Sequence, residues 1–331
     1  MKKTLSFLIA AVFVFAVLSS CTESNSPTTP EAINTPNATQ TTVAGLSYNS
    51  LVSVPGGTFT QTDTLGNSFS HTISAFKMGQ YEVTYELWYT VYQWAIVNGY
   101  TFANAGKEGK NGTPGAAPAA AKYEPVTTIN WRDTIVWCNA YSLMTGLTPV
   151  YYSDSGFTTP IKNSTDGAYG SSINTTPGSF DNPYVNWNAN GYRLPTEGEW
   201  QYAASYIDGS DWASRDFASG AGADYTDVAA CTTVAWYDMS SGDVTHDVGG
   251  KTENSLDIYD MSGNVWERCW DWHGDYPPET SNYRGPASGS SRVIRGGSYD
   301  DTASSLRVGV RFISATYNEY SSVGLRFARN N

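Results

Sequence analysis

The sequence predicts an α+β fold with few helices, short strands and much irregular structure. Helical spacing of apolar residues is found in only three stretches of the 331-residue chain. Elsewhere Gly, Asn, Ser and Pro punctuate short apolar runs, a pattern of short strands and loops. The material for a full core is nevertheless present: 40% of residues are hydrophobic, and 11 Trp and 23 Tyr supply large apolar anchors.

The chain opens on a segment that is not part of this fold. "MKK" is a basic start, and Thr4 to Leu18 is an apolar run too short for a comfortable transmembrane helix. It ends in "VLSSC", and Leu18, Ser19, Ser20 and Cys21 resemble the lipobox of bacterial lipoproteins, in which the cysteine is lipidated and becomes the first mature residue. The alternative is an ordinary secretory signal with an incidental cysteine. Residues 1–20 therefore read as a lipoprotein signal peptide. Residues 21–44 continue as "CTESNSPTTPEAINTPNATQTTVA", with hardly an apolar anchor to offset ordering entropy, and read as a disordered tether. At coil dimensions such a tether has a mean reach of about 25 Å.

Residues 45–331 show no repeat and no second linker, and read as one domain. Thr84 precedes a helix whose face is Leu87, Trp88, Val91 and Ala95, with Gly99 as its stop. A second helix covers about Trp131 to Met144 and is closed by Gly146. A third opens at "PTEGEW", where Thr196 and Glu199 have capping-box spacing. Near the end, Val323, Leu325 and Phe327 alternate with Gly324, Arg326 and Ala328, which predicts a half-buried strand. Beyond Cys21 only Cys138, Cys231 and Cys269 remain. They make no disulfide framework, at least one must stay unpaired, and Cys138 has the setting of a core residue.

Charge narrows the function. With 19 basic against 31 acidic residues and a net charge of −12, the surface does not suit nucleic acid, which needs clustered Lys and Arg.

Seven collinear blocks then carry a family resemblance: "GGTFTQ", "QYEVTYELWYTV", "PVTTINWRDTIVWCNA", "YRLPTEGEWQYAA", "DIYDMSGNVWERCWDW", "RVIRGGSY" and "VGLRFAR". Together they resemble the formylglycine-generating enzyme, or sulfatase-modifying-factor, domain family, which implies a variant of the C-type lectin fold. Enzymes of that family bind copper through two cysteines shortly after the RGGS block. Here those positions fall on Asp301 and Leu306, so the resemblance implies no copper chemistry. A related iron-dependent branch uses three histidines, whereas His71, His246 and His273 lack ligand spacing. No catalytic residue and no required cofactor follow. The resemblance does imply a structural calcium site at Asp260, Gly263, Val265 and Glu267, an oxygen-rich set of the kind Ca²⁺ takes. The alternative is that Trp266 packs in the core while Glu267 pairs with a buried arginine.

The tail, about residues 298–326, mixes fixed motifs with residues that share no property. Its order resembles a branch of this fold, the variable proteins of diversity-generating retroelements, some of them lipid-anchored. In that branch a reverse transcriptase randomises the adenines of AAC codons, which never yields Lys, Glu, Gln, Trp or Met. Placed on this chain, the pattern makes the variable positions Asp300, Asp301, Thr302, Val310, Phe312, Ile313, Ser314, Tyr317, Asn318, Tyr320, Ser321 and Ser322. All twelve are permitted residue types. The fixed residues Leu306, Val323, Leu325 and Phe327 are expected to pack inward, and Arg295, Arg307, Arg311 and Arg326 to tie loops through backbone carbonyls. Aromatic, Ser, Asn and Asp residues together suit a binding face.

The expected function is ligand or receptor binding by a non-catalytic lipoprotein of the bacterial cell envelope. It would be anchored at Cys21, in the outer membrane, and exposed to a protein or glycan at a cell or host surface. The alternatives are an enzyme of the same family with altered chemistry, or an unspecialised structural or binding lipoprotein.

Overall fold

Helices form where the sequence places caps. The computed structural model describes residue 46 and residues 48–165 and 171–331, with only the backbone of Glu279. The expected signal peptide, Cys21 and the expected tether lie outside the described residues. Four short strands come first: β1 (Leu51–Val54), β2 (Gly57–Thr62), β3 (Ser68–Ile73) and β4 (Phe76–Gly79). Helix α1 (Tyr85–Val97) then starts at Thr84, whose hydroxyl accepts the Leu87 amide, and buries Leu87, Trp88, Val91 and Ala95 as the spacing predicts. Strands β5 (Lys107–Glu108) and β6 (Val126–Thr127) form a small ribbon before α2 (Trp131–Met144).

Asn130 and Asp133 close a reciprocal capping box at the start of α2. The helix is buried almost all round from Trp131 to Ser142, so it runs through the core instead of lying upon it. Trp88 of α1 stacks on Trp137 of α2 with ring centroids 5.6 Å apart. Strands β7 (Tyr151–Tyr152) and β8 (Tyr184–Val185) pair with each other. Helix α3 (Glu197–Ser205) carries the Thr196–Glu199 capping box. A fourth helix that the spacing did not reveal, α4 (Val228–Val234), is capped by Asp227; its seven residues are too few for a periodic signal.

The C-terminal third builds the sheet that matters for the tail. Its strands are β9 (Trp266–Trp272), β10 (Glu279–Ser281), β11 (Arg292–Arg295), β12 (Phe312–Ser314), β13 (Val323–Gly324) and β14 (Ala328–Asn330). One sheet has the order β12-β11-β9-β13, a second β1-β4-β14, and a third β10-β3-β2.

The half-buried strand expected at Val323 to Ala328 is corrected. It is two short strands in different sheets, β13 parallel to β9 and β14 antiparallel to β4, and all six residues are buried. Alternation failed as a guide because the polar face is covered too: Arg326 turns into a buried carboxylate instead of into water.

Cys138, Cys231 and Cys269 are all free and buried, so none of the three is paired. Burial pushes the Cys269 thiol well above its usual value, and neighbouring carboxylates push in the same direction.

Candidate binding face

The tail is held by arginines that reach its backbone. After β11 the chain turns through Gly296 and Gly297, both left-handed at φ +102° and +77°. A side chain on Gly297 would also press on the Ser305 carbonyl, so this turn requires glycine. Arg295 donates to the carbonyls of Val308, at 3.1 Å, and Val310. Arg307 donates to the Ser304 carbonyl at 2.8 Å and to Asp216 at 3.2 Å. Arg311 grips Glu197 with two nitrogens, at 2.6 and 2.9 Å, and donates to the Gly274 carbonyl. Arg326 donates to the carbonyls of Gly79 and Tyr259 at 2.9 and 2.7 Å. The four expected arginine ties are thus all present, and charge-assisted bonds of this kind are strong.

A fifth tie was missed. Arg268 on β9 is fully buried and donates to the carbonyls of Ile129 and Asn318 at 2.9 and 2.7 Å. Burial lowers its guanidinium to about 10. It stands inside the apolar-looking stretch "VWERCWDW", and only its reach across to the tail shows its role. The Thr128 amide binds the Tyr320 carbonyl, and the Trp266 amide binds the Ser322 carbonyl. Backbone atoms of the tail are therefore fixed while many of its side chains remain in solvent.

Eleven of the twelve positions expected to be variable are exposed or half-buried. Phe312, Ile313 and Tyr320 are 57%, 45% and 46% exposed, which for large apolar side chains on a short edge strand and loop is unusual. Thr302 and Asp300 are exposed, and Tyr317, Asn318, Ser321, Ser322 and Val310 are half-buried. Ser314 departs from the expectation: it is 3% exposed, with its hydroxyl 3.4 Å from the buried Arg268 and its backbone paired with the buried Arg292.

Trp266 joins separate parts of this face. It is buried with Ile294 and Val323, and Val310 packs on that cluster. Its ring lies 5.6 Å from that of Phe312, and its indole N–H donates to Asp301 at 2.8 Å. Asp301 also accepts from Ser298 and, at 3.4 Å, from Ser305. Although half-exposed, Asp301 is thus a knot in the scaffold.

The copper-site test gives a plain answer. Asp301 is a hydrogen-bonded carboxylate and Leu306 lies in an apolar cluster with Ala218, Val234 and Tyr237, so these residues do not fit copper held by thiolates. His71 is buried, with one nitrogen 2.7 Å from Gln61 and the other accepting the Tyr283 amide; burial lowers it to about 4 and keeps it neutral.

At the calcium positions, the contacts around Glu267 are those of the ion-pair alternative. Arg326 reaches both carboxylate oxygens at 2.7 to 3.1 Å, and the Trp200 indole donates to one of them at 2.8 Å. Asp260 accepts the Gly249 amide through one oxygen, and its other oxygen is buried without a partner. Burial raises the Asp260 carboxyl to about 6. Burial first, and then Asp260 and Glu267, raise Glu82 well above its usual value. Among the described residues no three acidic, histidine or cysteine side chains converge as metal ligands. With Glu267 closed by Arg326 and Trp200, the set as arranged does not fit a calcium cage.

These features, a C-type lectin-type domain with the RGGS turn and buried arginine ties, define a class. The chain belongs to the sulfatase-modifying factor enzyme 1-like domain family, which it matches over residues 36–331. Among solved structures it is similar to Treponema denticola variable protein 1, at 30% identity and a TM-score of 0.67 over 86% of this chain and 98% of that one. It is 31% identical over 328 residues to the chaperone protein LppX of Paenibacillus barcinonensis, covering 93% of this chain and 92% of LppX. To the formylglycine-generating enzyme of Streptomyces coelicolor it is 32% identical over 155 residues, 44% of this chain and 49% of the enzyme.

Proposed function

We propose that this chain is a non-catalytic lipoprotein of the bacterial cell envelope, displayed at the surface, which binds a protein or glycan through its tail. In this reading the twelve variable positions are diversified by a retroelement, and Cys21 carries the lipid. One observation carries it: the backbone of the tail is bonded at Val308, Val310, Asn318, Tyr320 and Ser322, while eleven of the twelve side chains reach solvent. Surface substitutions away from caps and cores usually change stability by less than about 0.5 kcal/mol, so such a face tolerates variation, with Asp301 and Ser314, whose side chains bond the scaffold, as the exceptions. The similarity to the treponemal variable protein supports the same reading.

The test is the gene's neighbourhood. The expected finding is a near-copy of the 3′ end with AAC at the twelve codons beside a reverse transcriptase gene. A locus without either would remove the diversification. Anchoring is tested separately: wild-type protein should label with palmitate and partition into detergent, and Cys21→Ser should do neither.

A further inference from the structure

Away from the tail, a cavity of about 290 Å³ opens between the β3–β4 turn, the start of α3 and the chain terminus. None of the twelve variable positions lines it. Its lining is polar, and its charges are those of Arg193, Glu199 and Arg284. Arg193 is already neutralised, because Glu199 takes two of its nitrogens at 2.7 Å each. Asn330 and Asn282 are likewise committed, Asn330 to Arg193 and two carbonyls, and Asn282 to Ser74.

Arg284 is different. Its guanidinium carbon lies over the Trp187 ring, 3.9 Å from the centroid, and no described side chain forms an ion pair or hydrogen bond with it. The cavity is therefore left with one uncompensated positive charge in a protein whose net charge is −12. A guanidinium held over an aromatic ring by its carbon, with none of its N–H groups bonded among the described residues, keeps those donors for a planar anion.

We propose that this cavity binds a small carboxylate, received by the Arg284 edge, with the ligand's polar body against the amide of Asn188. The fork of N–H groups matches the two oxygens of a carboxylate. Half-burial first, and then Arg193, lower the Arg284 guanidinium although Glu199 and Asp271 act against them, so a bound anion would relieve a cation that its surroundings on balance disfavour. A carboxylate of this size comes from two sources, an acidic sugar or the free C-terminus of a short peptide. The cavity volume accommodates either.

The test titrates the full chain with four probes by calorimetry: glucuronate, alanyl-alanine, and two controls that lack the carboxylate, glucose and alanyl-alanine amide. Binding of glucuronate or alanyl-alanine, but of neither control, is expected, and which acid binds identifies the source. Arg284→Gln should weaken that binding by at least about tenfold, the loss of one charge-assisted pair. Arg284→Lys, which keeps the charge but loses the fork, should fall between. Both variants should melt near the wild type, because the side chain is only half-buried. If neither acid binds, if glucose binds as well as glucuronate, or if Arg284→Gln binds like the wild type, the proposal is overturned.

Discussion

The Nη2 atom of Arg268 donates a 2.7 Å hydrogen bond to the carbonyl oxygen of Asn318, while the Asn318 side chain bonds only the Tyr320 hydroxyl, also at 2.7 Å. A buried cation thus holds Asn318 by its backbone, and the side chain meets only that of Tyr320, another position expected to vary. The same division recurs at Ser322, whose carbonyl binds the Trp266 amide.

It follows that the two residues should respond oppositely to replacement. Arg268→Met removes the donor for the Ile129 and Asn318 carbonyls and should destabilise the domain by about 3–6 kcal/mol, since bonds to charged groups contribute about 1.5–3 kcal/mol each. Asn318→Ala should change stability by less than about 0.5 kcal/mol. Urea unfolding measures both. Equal losses would mean that the tail is not held through its backbone.

A triple Phe312→Ala, Tyr317→Ala, Tyr320→Ala variant should keep its melting curve and lose ligand capture. Phe312 and Tyr320 are exposed, and such aromatics are the usual anchors of an interface, costing about 2 kcal/mol or more of binding when truncated. Leu306→Ala and Phe327→Ala should instead lose about 2–5 kcal/mol of stability, because both residues are buried. A triple variant that melts as low as these would make the aromatics structural and end the binding-face reading.

Glu267→Ala should destabilise by about 3–5 kcal/mol whether or not calcium is present, because it strands the buried Arg326. Millimolar Ca²⁺ should leave the melting temperature of metal-free wild-type protein unchanged. A rise that disappears in Glu267→Ala would show that a cation competes with Arg326 for this carboxylate, since a ligand of the native state stabilises by mass action.

Asp271 should make the protein less stable as the pH rises above neutrality. Burial first, and then the charge of Glu197, raise its carboxyl to about 8, far above the unfolded value. The native state therefore holds a proton that the unfolded chain has released, and the stability this contributes is complete below about pH 4 and lost as the pH climbs through 8. His71, lowered to about 4, has finished titrating in both states near pH 7 and does not mask the effect. Melting temperature should fall between pH 7 and 9, and Asp271→Asn, which keeps an acceptor for the Glu197 amide, should reduce that fall. An unchanged slope in Asp271→Asn would assign the pH dependence elsewhere.

The sequence by itself determined the local features of this protein. Caps and apolar spacing located the starts of α1, α2 and α3 within a residue, because a helix is specified by neighbours three and four positions apart. Seven ordered blocks were enough for the family, and the fixed arginines of the tail announced their backbone ties. Tertiary structure alone decided what depends on residues far apart in the chain. Only the folded chain shows that Arg326 meets Glu267, so that a strand expected to be half-buried is covered on both faces. Ser314 looks in sequence like the neighbours expected to vary, but its hydroxyl meets Arg268 and its backbone pairs with Arg292, both distant in the chain. Asp301 and Trp266 are 35 residues apart, and Arg284 lies 97 positions after Trp187. No local pattern encodes such pairs, since each arises only when packing brings two distant segments together and removes the water between them.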